Sequence, residues 1–207
     1  MRLVTSVVIE DDIAAACFDV MKDIQGRMNI VQDIDGKINE QNYMLSFAYL
    51  LGSKLRDTGA LYGGELKKIM DCSDTKVKEL IARVRTNCTE YNQPDVTVKP
   101  DFVIHNSIEP VDLNMSTQQL VIEAKTTNQL SQDCFSWDLY KLSAYINQLA
   151  YRTGIYIIVN ENKEKIDDYI EGYIHQKLPT INISGGHMLY FFIQEKDCSA
   201  PKVYRFV

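Results

Sequence analysis

Long hydrophobic runs, paired cysteines and clustered histidines are all missing from this 207-residue chain. No stretch approaches the ~20 consecutive apolar residues of a membrane-spanning helix, so a soluble protein with no membrane partner is expected. The apolar run from Leu3 to Ile9 is ended at once by Glu10, Asp11 and Asp12. That is too short a core for a secretory signal. The five cysteines (Cys17, Cys72, Cys88, Cys134 and Cys198) are odd in number and scattered. None forms a CxxC pair, and no histidine is placed to complete a zinc knuckle. Reduced thiols in a cytoplasmic protein are therefore expected. There is no internal repeat, no low-complexity tract and no phosphate-loop context around Gly185-Gly186. Nor does any Ser-His-Asp or Cys-His arrangement offer a nucleophile.

What is present fits one domain. At 23.7 kDa the chain is long enough to bury a full core without covalent staples. Its net charge of −6 argues against a protein that coats nucleic acid. Local charge runs both ways, however. Residues 1–40 hold eight acids and four bases, whereas Lys54 to Arg85 holds eight bases and five acids. Phosphate recognition draws on such local segments, so the bulk charge does not settle the partner.

Periodicity divides the chain near Pro94. Residues 1–90 read as mostly helical after a β-branched start at Leu3–Ile9. Ile13 to Ile24 and Ile38 to Leu55 carry apolar residues at helical spacing, and a short segment at 28–34 has strand character. Glu65 to Met70 reads as a short helix. Ser73 or Asp74 then offers an N-cap for a second one bearing Val77, Leu80, Ile81 and Val84. Beyond Pro94, strands and helices alternate: Val96–Val98, Phe102–Ile104 and Leu120–Lys125 as strands, Asp133–Arg152 as a long helix, and Gly154–Val159 as a strand buried on both faces. A helix over Lys163–His175 and strands at Met188–Ile193 and Val203–Val207 follow. This alternation predicts an α/β architecture, a central sheet flanked by helices, over residues 91–207.

Three residues in the second half carry the chemistry. Asp101 follows Pro100 at the mouth of one strand, and Glu123 and Lys125 end another. Strand side chains alternate, so Glu123 and Lys125 point the same way and Ala124 points opposite. If the two strands pair as a hairpin, both carboxylates and the ammonium converge. Such a group is costly inside a fold unless a cation compensates it. Hard carboxylate oxygens suit Mg²⁺ or Mn²⁺, and an adjacent lysine can position or deprotonate water, a combination suited to phosphodiester hydrolysis.

Pro100-Asp101 with Glu123-Ala124-Lys125 resembles the signature of the PD-(D/E)XK nuclease superfamily, across residues 38–160. The resemblance rests on that motif, on the apolar Leu120-Val121-Ile122 before it, and on the helix and buried strand after it. It implies a restriction-endonuclease-like core with a central mixed sheet, and an Mg²⁺- or Mn²⁺-dependent DNA endonuclease of restriction, defence or phage type, acting alone or as a homodimer. Asp101, Glu123 and the Ala124 carbonyl would hold the metal, and Lys125 would act on the water. Glu40 would complete the acidic set from an upstream helix, with Glu65 as second choice.

Other readings stay open beside it. Asp101 can cap a turn, Glu123 and Lys125 can form a solvated pair on an edge strand, and Pro94-Asp95 offers a second PD pair. An RNA endonuclease of the same fold, or a non-catalytic nucleic-acid-binding or adaptor subunit, shares the expected core. The helix over 133–152 presents Asp138, Lys141, Tyr145, Gln148 and Arg152 at intervals of three or four. Of these, Lys141 and Gln148 are candidates for contacting nucleic acid, as is Thr126 just past the motif. His105 shares a face with Asp101. A helix pair over 64–86 would turn Lys67, Lys68, Arg83 and Arg85 towards DNA, or simply present a solvated basic face.

Overall fold

Uninterrupted apolar sequence occupies the middle of the molecule, and everything else is arranged around it. A computed structural model of the chain describes residues 2–5, 8–27, 32, 37–56, 61–63, 68–69, 71–88, 97–105, 117–126, 130–179, 183, 185–195 and 200–207. In chain order the elements are β1 (Leu3–Thr5), α1 (Asp12–Gln25), α2 (Glu40–Leu55), β2 (Leu61–Gly63), β3 (Lys68–Ile69), α3 (Thr75–Asn87), β4 (Thr97–Val98), β5 (Phe102–His105), β6 (Gln118–Lys125), α4 (Gln132–Leu149), β7 (Thr153–Val159), α5 (Lys163–His175), β8 (Met188–Gln194) and β9 (Lys202–Phe206). Strands β6, β7 and β8 are buried at every position. They run parallel to one another, with α4 and α5 as the connections. Parallel strands covered on both faces need such continuous apolar sequence. The α/β architecture expected of the second half is present.

The remaining strands of the main sheet pair antiparallel, which makes it mixed and open, in the order β1-β9-β8-β7-β6-β5-β2. Strand alternation then builds two cores. Leu120, Ile122, Ala124, Ile155 and Ile157 face α1 and α2, where they meet Cys17, Val20, Phe47 and Leu51. Val121, Tyr156, Ile158 and Phe191 face the opposite way, against Leu80 and Val84 of α3 and against Phe135, Trp137 and Leu142 of α4. Helix α4 is buried from Cys134 to Ile146 without a break, so it lies inside the molecule.

Local signals place the helix starts. Asp11 accepts from the backbone N–H groups of Ile13 (3.0 Å) and Ala14 (2.9 Å), and Asp74 accepts from Lys76 (2.7 Å) and Val77 (3.2 Å). Each satisfies donors that the first helical turn leaves without partners. Helix α2 packs by Tyr43, Phe47, Leu51 and Leu55, the stripe expected from its spacing.

Several expectations are corrected. The first half supplies both edges of the sheet, β1 beside β9 and β2 beside β5, and so is less purely helical than its periodicity suggests. Lys68–Ile69 is a strand paired with Thr97–Val98, so no helix pair spans 64–86; residues 64–67 and 70 lie outside the described set. Cross-strand pairing overrides the local helical pattern there. The long helix stops at Leu149, because Ala150 turns left-handed (φ 56°), and Arg152 is therefore off it. Cys88 and Cys134, 46 positions apart, form a disulfide where reduced thiols were expected. Packing of α3 on α4 brings their Cα atoms to 6.2 Å, which no spacing reveals. Cys17 and Cys72 are buried thiols, and Cys198 lies outside the described residues, as does most of the strand expected over 28–34. Among the described residues no helix is long and apolar enough to cross a membrane.

Phe47 is fully buried and meets the Phe102 ring edge-on at 6.1 Å, joining α2 to β5. Phe47→Ala should cost about 3–5 kcal/mol of folding stability, read from the midpoint of urea denaturation.

Candidate functional site

The β5–β6 hairpin sets the geometry. Its register pairs Phe102 with Ile122 and Val103 with Val121, so the next step places Asp101 beside Glu123. Asp101 Oδ2 accepts the Ala124 backbone N–H at 2.7 Å, taking a ladder position that the next backbone carbonyl would otherwise fill. Asp101 is half-buried and Glu123 buried. Glu123 and Lys125 project towards α4 with Val121, while Ala124 packs against the other core. The two carboxylates and the ammonium thus gather at one end of the sheet, on one face.

Two further elements close this corner. Helix α2 begins at Glu40, behind the Asn39 cap, and Lys125 Nζ lies 3.2 Å and 3.5 Å from its two oxygens. The Thr126 hydroxyl donates to the Ile38 carbonyl (3.3 Å), and the Thr126 carbonyl accepts from Asn160 Nδ2 (3.4 Å). These bonds tie the end of β6 to the start of α2. From the other side, buried Lys141 on α4 donates to Glu123 Oε2 at 2.6 Å and lies 2.8 Å from Asp138 Oδ1. Asp138 Oδ2 accepts the Tyr156 hydroxyl at 2.9 Å. Tyr156 stands opposite Glu123 in the β6–β7 register. Glu123 Oε1 and the Tyr145 hydroxyl are buried there too, close enough to each other to interact but outside ordinary hydrogen-bond geometry.

Burial and mutual repulsion show in the titration of the group. Burial pushes the Glu123 carboxyl well above its ordinary range, Lys141 opposes this, and Asp101 and Asp138 add to it. Asp101 is raised for the same first reason, against the pull of Lys141, Lys125 and the Ala124 N–H. Glu40 is pushed up to about 7 by burial, with Lys125 opposing and Asp101 and Asp138 reinforcing. For Lys141 burial works against the charge, yet Asp138 and Glu123 outweigh it and the ammonium is held protonated. Burial, then the charge of Glu123, keeps Tyr145 a neutral phenol.

The expected nucleic-acid residues are placed differently from one another. Lys141 is inside the acidic group and not on a substrate-facing surface, and Thr126 is buried in the tie just described. Gln148 is exposed in the last turn of α4 and accepts from the Asp71 N–H (2.9 Å), away from the group. Arg83 is part-exposed, its Nε donating to Asp133 Oδ1 (2.9 Å) and its terminal nitrogen to Gln176. Arg85 is exposed on α3. Lys67 and Glu65 lie outside the described residues, as does Asp95. His105 is at the far end of β5, 3.3 Å from the Tyr151 hydroxyl. Sequence reasoning missed Asp138 and Tyr156 as site residues. The Asp138, Lys141, Tyr145 stripe pointed to the first; only the register reveals the second.

Do these residues suit a divalent metal? Among the described residues no three His, Cys, Asp or Glu side chains cluster tightly enough to hold one by themselves. Two carboxylates, Asp101 and Glu123, do lie side by side across the β5–β6 hairpin, and Glu123 Oε1 is buried there. Mg²⁺ is commonly held by one or two carboxylates with waters and substrate phosphates, so a donor set of this size fits. Glu40 is directed at Lys125 and is the acid least placed to join it. Comparison of the chain with protein-family models, curated proteins and solved structures gave no match.

The raised Glu40 carboxyl fixes a sign for pH dependence. Its folded value of about 7 lies above the ordinary 4.5, so its contribution to stability is fully present below 4.5 and is lost as pH rises through 7. Wild type measured in EDTA should therefore lose more stability than Glu40→Gln between about pH 5 and about pH 8, as compared by urea midpoints.

Proposed function

We propose that this protein is a metal-dependent nuclease with a restriction-endonuclease-like core, cleaving phosphodiester bonds in DNA. The observation that carries the reading is the meeting of Asp101, Glu123 and Lys125 at one corner of the sheet with a buried carboxylate oxygen that makes no bond of ordinary geometry. Carboxylates gathered into a poorly solvated corner are costly unless charge or protonation compensates them, and Lys125 and Lys141 meet that cost only in part when all the acids are ionised.

The protein's own residues divide the work. Asp101 is fixed by the Ala124 N–H and Glu123 by Lys141, so each aims its remaining oxygen without rearrangement. This pair, with the Ala124 carbonyl, would hold an Mg²⁺ or Mn²⁺ ion, which would supply a Lewis acid for the phosphoryl oxygen and lower the pKa of a bound water. Lys125, anchored on Glu40, presents its ammonium to the attacking water or to a phosphate oxygen. The Glu40–Lys125 pair thereby orients the lysine, and Glu40 acts through it. Exposed Arg85 on α3 provides a cation for the nucleic-acid backbone.

Incubation with Mn²⁺ and labelled duplex DNA should give cleavage that EDTA abolishes. Asp101→Asn and Lys125→Met should each lower the rate by about 10²-fold or more while retaining a wild-type circular dichroism spectrum. Cleavage of single-stranded RNA alone would reassign the substrate. Binding of DNA without cleavage would make the chain a non-catalytic subunit, and metal-dependent cleavage untouched by either substitution would remove these residues from the chemistry.

A further inference from the structure

The group at the sheet end contains more acid than its motif requires. Among the described residues, Asp101, Glu123, Asp138 and Glu40 are four carboxylates, and they face two ammonium groups, Lys125 and Lys141. With every carboxyl ionised, two negative charges are left over, the charge of one divalent cation. The two lysines are not equivalent. Lys125 reaches Glu40 at the rim, where the glutamate side chain is 35% exposed. Lys141 is buried between Glu123 and Asp138, so its ammonium already serves one of the carboxylates proposed for the ion. Asp138 is fully buried, and Tyr156 holds its second oxygen, which leaves the first aimed at Lys141. The Glu123 oxygen that Lys141 does not touch makes no bond of ordinary geometry, and its polar neighbour in that corner is the Tyr145 hydroxyl.

We propose that Lys141 is a built-in counter-cation that sets the affinity of the divalent site, shared between Glu123 and the Asp138–Tyr156 pair. This rests on the metal-site reading above and adds to it a residue pair outside the motif. When Glu123 is given to an ion, the ammonium is taken up by Asp138, 2.8 Å away, and no buried charge is stranded. Lys141 and Asp138 are thus positioning residues with opposite effects. Removing the ammonium leaves Glu123 more negative and the site more attractive to a dication. Removing the Asp138 charge leaves Lys141 with Glu123 as its main partner, and the ion must then compete with it.

The test is Mn²⁺ binding to the full chain without nucleic acid, by isothermal titration calorimetry at neutral pH, with circular dichroism as the folding control. Asp138→Asn keeps the shape and an acceptor for Tyr156 and should weaken Mn²⁺ binding about tenfold or more, the scale of losing one nearby charge in a partly buried site. Lys141→Met should tighten binding by a similar factor. The double variant D138N/K141M restores the excess of two negative charges and should return affinity to within about threefold of wild type. Should Lys141→Met alone fail to fold, Asp138→Asn and the double variant still decide the matter. Equal affinity in wild type and D138N, or a double variant as weak as D138N, overturns the shared-ammonium proposal and leaves the metal site standing. Absence of Mn²⁺ binding in folded wild type overturns the metal-site reading and this inference with it.

Discussion

Placing carboxylates where water is scarce is the constraint that organises this protein. A single buried ionised carboxylate is tolerated only with a partner, and here Asp101, Glu123, Asp138 and Glu40 lie near enough for their charges to act on one another. The fold meets that demand from three directions. Asp101 takes a backbone N–H, Glu123 and Asp138 share an ammonium, and Glu40 meets a second ammonium at the rim. Burial and residual repulsion still raise the carboxyl groups, which favours their protonated forms.

That corner dictates what the surrounding elements must do. Helix α4 cannot be an ordinary amphipathic surface helix, because one stripe carries Asp138, Lys141 and Tyr145 into the interior while α3 and α5 cover the rest. Helix α2 must start at Glu40, and the Thr126–Ile38 bond fixes that start against the end of β6. Even Tyr156, in the most apolar strand, has its hydroxyl matched to a buried aspartate. Some polar residues inside this core are satisfied pairwise across elements, whereas the Tyr43 and Tyr145 hydroxyls and Glu123 Oε1 complete no bond of ordinary geometry, the last two in the acidic corner.

Much of the site was legible because strand chemistry is local. Apolar residues before Glu123 mark an interior strand, and alternation alone puts Glu123 and Lys125 on one side. The 22-residue gap to Asp101 was bridged by assuming a hairpin, and the register bears that geometry out. The Glu40 stripe was read from helical spacing, although its partner is Lys125 and not the other acids. Lys141 was misplaced for a physical reason. On a helix buried all round, a charged residue at helical spacing looks the same as one on a solvated face, and only the neighbours distinguish them. Asp133 and Gln176, the partners of part-exposed Arg83, were likewise not legible, since they lie far along the chain.

By itself the sequence determined the strand and helix periods, the capping aspartate at position 74, and the placing of Glu123 and Lys125 on one side of a strand, because each depends on residue types and on spacings within one element. Tertiary structure alone decided the order of the strands, the Lys68–Ile69 pairing with Thr97–Val98, the joining of Cys88 to Cys134, and the ammonium that Glu123 shares with Asp138. Those outcomes turn on which surfaces meet when the apolar faces are buried, and side chains brought together in that way leave no trace in local spacing.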